Sequence, residues 1–476
     1  MSRQLLLVTA VIALAALLAG PGVAAAGTAS TRTITFEKRD TGSGNATIVG
    51  LRYEAGRGER NGLRVEVDPR GATLTDRVRI RAGRGCRRVP GRGPRTVRCS
   101  FRGAQGLDGG PDTDGADEVR ARVRLHDGRD RAVVTGDFPG DVPGSYNEGT
   151  PSFMTMEGGR GSDRMRAGAD FGLFIGGPGN DRMSGGDGAD RFHEGRRRNG
   201  ADTISGGSNP PFVTPDDGDR VTYGKRRQRV VADLAGDRDD GAPGERDMIA
   251  SNVESIYGGR GNDVISGNTK KNGLVGGGGR DTLNGGAGDD GLVAGRGRTR
   301  DVLNGGPGDD VLSGNAGANR LNPGPGADTL ETSGGADIVG AHDGFLDKFD
   351  CGSGRERLRL DRLDFITRDC GGVTRRGLAA AVPLGFAVFN TGELPYAEIG
   401  CPADASRRCV GTVTTLYRGR VLSRKRFNIG RGRVGDINVI AGRRALEGKT
   451  VRLRVRSRVN RRVTRTVTAP ALVTPE

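Results

Sequence analysis

Along residues 158–340 one apolar side chain recurs at about every ninth position, flanked by polar or small residues and preceded by a six-residue run nearly free of apolar groups. Gly158 opens GGRGSDRMR, and Gly176 opens GGPGNDRMS, followed at once by GGDGADRFH. Gly258 opens GGRGNDVIS, Gly276 opens GGGGRDTLN followed by GGAGDDGLV, and Gly305 opens GGPGDDVLS. Looser copies begin at Pro323 (PGPGADTLE) and Thr332 (TSGGADIVG). The shared pattern is G-G-x-G-x-D-x-U-x, with U apolar. The x-U-x part predicts a short strand whose centre faces inward and whose neighbours face outward. The G-G-x-G-x-D part predicts a turn, because glycine accepts positive φ and lets backbones approach. Two turns and two strands make a coil of about 18 residues, and stacked coils leave strand edges only at their ends. The expected inward residues are Met165, Met183, Phe192, Ile204, Ile265, Leu283, Leu292, Leu303, Leu312, Leu330 and Ile338.

Weak units at Ala167 (AGADFGLFI), Gly267 (GNTKKNGLV) and Gly314 (GNAGANRLN) keep the phase but place Gly172, Asn272 and Asn319 in the aspartate slot. Two longer units, Glu194–Ser205 and Ala294–Asn304, carry insertions. With 85 glycines in 476 residues, 34% hydrophobic residues and no tryptophan, one large conventional core is excluded. Collagen is excluded too, since the glycines do not fall on every third position. A disordered linker shares this composition but has no reason to keep a nine-residue phase. One inward side chain per unit is too little to offset a backbone ordering cost of roughly 1–2 kcal/mol per residue, and aspartates stacked one coil apart repel. A hard divalent cation answers both problems. Calcium accepts about six to eight oxygens in flexible geometry, whereas magnesium demands a tighter octahedron. Charge agrees: residues 158–340 hold 23 Lys and Arg against 27 Asp and Glu, a net of −4 inside a chain of +16.

These tandem, in-phase units resemble the RTX, or hemolysin-type calcium-binding, repeat family, most closely over 158–207 and 258–340. The resemblance implies a parallel β-roll with calcium held between turns one coil apart. It implies carboxylate ligands from Asp163, Asp181, Asp190, Asp202, Asp263, Asp281, Asp290, Asp301, Asp310, Asp328 and Asp337. It also implies carbonyl ligands from Gly259, Gly261, Gly277, Gly279, Gly286, Gly288, Gly306 and Gly308. The candidate pairs are Asp163 with Asp181, Asp263 with Asp281, Asp281 with Asp301, Asp290 with Asp310, and Asp310 with Asp328. Asp190 pairs only through a degenerate unit, and sites next to Gly172, Asn272 and Asn319 should bind poorly. The stretch 208–257 resembles the insertion found in secreted actinobacterial proteins of this type; its Asp237, Asp239 and Asp240 read as a solvated loop.

Residues 1–26 have the layout of a Sec-type signal peptide: Arg3, an apolar run from Leu5 to Leu18, then Ala24-Ala25-Ala26. That run is too short to span a bilayer, and no later stretch is suited to it. Six cysteines in an exported chain suggest disulfides, and neighbours in sequence are expected to pair: Cys86 with Cys99, Cys351 with Cys370, Cys401 with Cys409. The expected organisation is a signal peptide (1–26), an N-terminal β-rich domain (27–145), a first array (146–207), an insertion (208–257), a second array (258–340), a capping segment (341–373) and a basic, immunoglobulin-like β-sandwich (374–476). Within the N-terminal domain, 121–136 resembles a degenerate coil and Asp108–Asp117 an acidic loop.

The fold class is therefore all-β. No HExxH, GxSxG or GxxxxGK[ST] motif is present, so no protease, lipase or nucleotide hydrolase is expected. The expected function is that of a secreted calcium-binding protein with a structural or surface-interaction role. The alternatives are an extracellular carbohydrate-active enzyme on a β-solenoid and a cationic cell-envelope adhesin. Residues 374–476 carry 21 Lys and Arg against 6 Asp and Glu, which suits an anionic cell-envelope polymer or polysaccharide. Without interleaved aromatic residues, this module offers no specific nucleic-acid surface.

Overall fold

The computed structural model describes residues 27–37, 45–68, 71–100, 118–135, 153–168, 172–208, 218–360, 364–366, 370, 372–375, 382–387, 396–401, 408–418, 420–431, 433–438, 450–458 and 464–472. The proposed signal peptide and the acidic loop Asp108–Asp117 lie outside them. Among the described residues the only helix is a single 3-10 turn, Gly93–Arg95. None is long and apolar enough to cross a membrane. The chain forms two compact units, the first ending with Asn199–Pro210, the second holding Glu194–Arg198 and everything from Pro211 on.

In the first unit two parallel stacks share the coils. One joins Asn45–Glu54, Glu118–Arg124, Phe153–Glu157, Gly172–Ile175 and Arg191–His193. The other joins Gly62–Asp68, Arg131–Thr135, Arg164–Arg166, Arg182–Ser184 and Thr203–Ser205. The roll thus takes in strands read from sequence as part of an N-terminal domain. Only its outermost part is antiparallel, where Gly27–Glu37 pairs with Asn45–Glu54 and a meander carries Cys86 opposite Cys99. Inward side chains stack on their own kind, as Phe174 does on Phe192 at 4.9 Å.

The second unit repeats the arrangement. One stack runs Arg220–Thr222, Ser255–Tyr257, Gly273–Gly277, Gly291–Gly295, Val311–Ser313, Thr329–Glu331, Lys348–Asp350 and Phe365–Ile366. The other runs Val231–Asp233, Val264–Ser266, Thr282–Asn284, Val302–Asn304, Arg320–Asn322, Ile338–Ala341, Arg357–Leu360 and Val373–Arg375. The stretch 208–257 therefore supplies strands in register with the array, and 341–373 adds further coils. The irregular coil is anchored by Arg226, fully buried between Glu194 and Glu245 and lying over the Tyr223 ring.

The expected inward residues are buried, with one correction. Ile338 is 45% exposed, and Val339 is buried in its place. In ADIVG the residue two after Asp337 is Val339, so the D-x-U-x spacing, rather than bulk, selects the inward side chain.

Beyond the roll the pairing turns antiparallel. Val382–Ala387, Tyr396–Cys401 and Arg433–Asn438 form one sheet. Arg420–Ile429, Cys409–Tyr417, Thr450–Arg458 and Thr464–Leu472 form another. Val413 faces Val455, both buried, while Arg454 and Arg456 point outward. All three expected disulfides are present.

Candidate metal centre

Every aspartate expected to be a ligand is buried, none more than 2% exposed. The turns bring them into rows, because each sixth-position carboxylate lies against the backbone of the preceding coil. Asp163 N–H donates to Asp181 Oδ1 (2.8 Å), and Asp181 N–H to Asp202 Oδ1 (2.8 Å). In the second unit Asp263 N–H donates to Asp281 (2.8 Å) and Asp281 N–H to Asp301 (2.8 Å). On the other side Asp290 N–H donates to Asp310 (2.7 Å) and Asp310 N–H to Asp328 (2.7 Å). All five expected pairs are adjacent in this way. Asp190 meets the degenerate unit through Gly172 N–H (2.7 Å).

The second carboxylate oxygen divides the aspartates. Oδ2 of Asp163, Asp281, Asp290, Asp310, Asp328 and Asp337 is buried without a hydrogen-bond partner. A buried acceptor left unmade costs about 1–3 kcal/mol, more when charged. Burial accordingly pushes the carboxyls of Asp281, Asp290 and Asp328 up to about 7, and those of Asp163, Asp310 and Asp337 up to about 6. Four others have both oxygens engaged. Asp263 accepts from Gly259 N–H (2.6 Å), Asp190 from Gly186 N–H (2.9 Å), Asp202 from Asn199 Nδ2 (2.7 Å), and Asp301 from Asn315 Nδ2 (2.5 Å) and the Thr299 hydroxyl (2.9 Å).

The weak unit at Gly314 shows what these turns converge on. Asn319 holds the aspartate slot and accepts from Asp301 N–H (3.1 Å), as an aspartate would. Its amide nitrogen donates to the carbonyls of Asn315 and Gly317, each at 3.1 Å. Those are the second and fourth positions of the unit. The backbone equivalents elsewhere are Gly259 and Gly261, Gly277 and Gly279, Gly286 and Gly288, and Gly306 and Gly308. Where the side chain is an aspartate with an unpartnered Oδ2, carbonyls and carboxylate are all acceptors, and the donor is missing. The space is reserved by glycine: a Cβ on Gly276 would stand 2.6 Å from Asp281 Oδ2 and 2.8 Å from the Ala294 carbonyl. An all-oxygen, anionic donor set of this kind fits calcium.

Sequence reasoning missed several members of these rows. Asp130 N–H donates to Asp163 Oδ1 (2.9 Å), Asp328 N–H to Asp347 Oδ1 (2.9 Å), and Asp347 N–H to Asp364 Oδ1 (3.3 Å). Burial pushes the Asp347 carboxyl up to about 9. All three precede an x-U-x strand (DRAV, DKFD, DFIT), so D-x-U-x without the full glycine signature was the available signal. A parallel ladder at the fifth position was also missed: Asp289 Oδ1 accepts from Asp309 N–H (2.9 Å), and Asp309 Oδ1 from Ala327 N–H (2.8 Å). Asp240, read as part of a solvated loop, is instead buried and closes its turn on Asp233 N–H (2.6 Å) and Ile249 N–H (2.9 Å).

The RTX calcium-binding nonapeptide repeat (4 copies) matches residues 157–192, 251–269, 272–300, 297–330 and 324–344. No curated protein matches the chain.

Proposed function

From a chain that carries RTX-type calcium-binding repeats, we propose a secreted protein with a structural or surface-interaction role, its roll completed by calcium outside the cell. The observation that carries this reading is the Asn319 amide, which supplies in an uncharged unit the donor that is missing at Oδ2 of Asp163, Asp281, Asp290, Asp310, Asp328 and Asp337. When bound, calcium supplies the positive charge that lets stacked carboxylates ionise while buried. The chain's own residues do the rest. In Asp163, Asp281, Asp290, Asp310, Asp328 and Asp337, Oδ1 is fixed by a neighbouring backbone N–H and Oδ2 is presented, with the second- and fourth-position carbonyls to complete the set. Asp290, Asp310 and Asp328 form the row best suited to it, since each has a free buried Oδ2. Metal-binding free energy then becomes folding free energy. The layout of residues 1–26 and the three disulfides support export and an oxidising compartment. We assign the protein no catalytic step.

Far-UV circular dichroism of the mature chain tests this, in chelator and then with calcium raised to millimolar. A cooperative gain of β signal, absent with magnesium and lost in Asp281→Ala plus Asp310→Ala, is the expected result. An unchanged signal would remove the calcium-driven folding reading and bring the solenoid enzyme forward, to be tested by a polysaccharide screen.

One observation favours an anionic partner. Arg196, Arg197, Arg198, Lys225, Arg227 and Arg260, all exposed, line a concavity of about 730 Å³ in the second unit. None of the six pairs with a carboxylate among the described residues. This adds to the basic face of 374–476 as a docking place for an anionic envelope polymer. Binding that is lost in high salt would support it.

A further inference from the structure

The coil Ala341–Asp350 departs from the repeat in a way that adds a carboxylate. His342-Asp343-Gly344-Phe345-Leu346-Asp347 stands where other units read G-G-x-G-x-D. Asp347 holds the sixth place, and Phe349 is the buried residue of the strand that follows. Asp343 holds the second place, which is glycine in the strong units. One carboxylate oxygen from each of Asp328, Asp343 and Asp347 lies within 4.8 Å of the other two.

Each carboxylate is anchored through Oδ1: Asp328 by Asp310 N–H (2.7 Å), Asp347 by Asp328 N–H (2.9 Å) and Asp343 by Phe345 N–H (2.9 Å). Oδ2 of all three is buried and has no hydrogen-bond partner. Asp328 and Asp347 are wholly inaccessible to solvent. Among the described residues no lysine, arginine or histidine pairs with any of them. Asp343 is itself half-buried, but its Oδ2 is turned inward with those of Asp328 and Asp347, so three acceptor oxygens converge with no donor among the described residues.

Calcium binds oxygens at about 2.3–2.6 Å in flexible geometry, so two of its ligands can stand up to about 5 Å apart. Carboxylate oxygens that all lie within 4.8 Å of one another fit inside that sphere.

We propose that Asp328, Asp343 and Asp347 form a three-carboxylate calcium site, the tightest in the chain, which pins the coil Ala341–Asp350. It rests on the calcium reading of the roll but goes beyond it, because the two-oxygen rows elsewhere lack the second-position carboxylate. Affinity in such sites rises with the number of charged ligands.

The test is calcium titration of the full mature chain against a chromophoric chelator, for wild type, Asp343→Asn and Asp343→Gly. The glycine variant restores the residue that the strong units carry at this place. Wild type should show one class of site at least about tenfold tighter than the rest, as expected for an added charged ligand. Both variants should lose that class, keep the weaker ones, and retain the β signal in millimolar calcium. Persistence of the tight class in both variants would overturn the proposal while leaving the roll's calcium reading intact. So would unfolding of Asp343→Gly in millimolar calcium, since demoting one site should not cost the fold. If wild type binds no calcium at all, both readings fall together.

Discussion

Asp310→Asn is the sharpest single perturbation of the roll, because the protein already contains its outcome at Asn319. In the metal-free roll the Asp310 carboxyl sits near 6 rather than 3.8, chiefly through burial. Ionising it at neutral pH therefore costs about 3 kcal/mol, at about 1.4 kcal/mol per pH unit. An amide removes that cost. It still accepts Asp290 N–H, and its nitrogen can reach the Gly306 and Gly308 carbonyls as Asn319 reaches those of Asn315 and Gly317. In chelator at pH 7.5 the variant should be more stable than wild type by about 2–3 kcal/mol, read as a shift in the urea midpoint followed by circular dichroism. In millimolar calcium the order should reverse, with fewer ions bound by equilibrium dialysis. The gain in chelator should vanish at pH 4, where the wild-type carboxyl is already protonated. If Asp310→Asn is destabilised equally with and without calcium, the carboxylate is a packing element and the argument from orphaned oxygens fails.

The same sign holds for the whole metal-free roll. The carboxyls of Asp163, Asp281, Asp290 and Asp328 are raised to about 6–7, so their contribution is fully present below pH 4 and lost as pH rises to about 7; melting in chelator should be higher at pH 5 than at pH 8, and calcium addition at pH 6 should release protons in a pH-stat. Gly276→Ala places a methyl group against Asp281 Oδ2 and the Ala294 carbonyl, and should lower stability in calcium by about 1–3 kcal/mol in the same urea assay. Leu303→Ala empties a fully buried position between Leu283 and Leu321 and should cost about 2–5 kcal/mol with or without the metal. Replacing Cys351 and Cys370 by serine opens a loop of 19 residues and should lower stability by about 3 kcal/mol, with early exchange of Arg357–Leu360 amides.

Much of this was written in the sequence because the repeat enforces it. A nine-residue phase fixes which side chain turns inward, and Leu283, Leu303 and Leu321 then stack by necessity. The paired aspartates follow from the same period, as do disulfides between sequence neighbours. The misses have a common cause. Asp130, Asp347 and Asp364 occupy row positions without the full G-G-x-G signature, while the strand register is kept by the neighbouring coil. The tertiary template, not the local motif, places them. Likewise Ile338 outweighs Val339 in bulk, but its place beside Asp337 turns it to solvent. The engagement of Asp301 by Asn315, which sets it apart from Asp310, depends on a side chain 14 residues away and has no local signature.

The sixth-position N–H of Asp263, Asp281, Asp290, Asp310 and Asp328 donates in every case to the carboxylate of the coil that follows. The stack is therefore polar, like a filament with unlike ends. A coil is finished only when its successor arrives carrying the acceptor, so elongation toward the C-terminus satisfies one waiting donor per step. Loss of the final coil strips its neighbour of a partner, whereas loss of the first leaves only a carboxylate facing water. Fraying should begin at the C-terminal end, which is where Cys351–Cys370 ties the chain to itself.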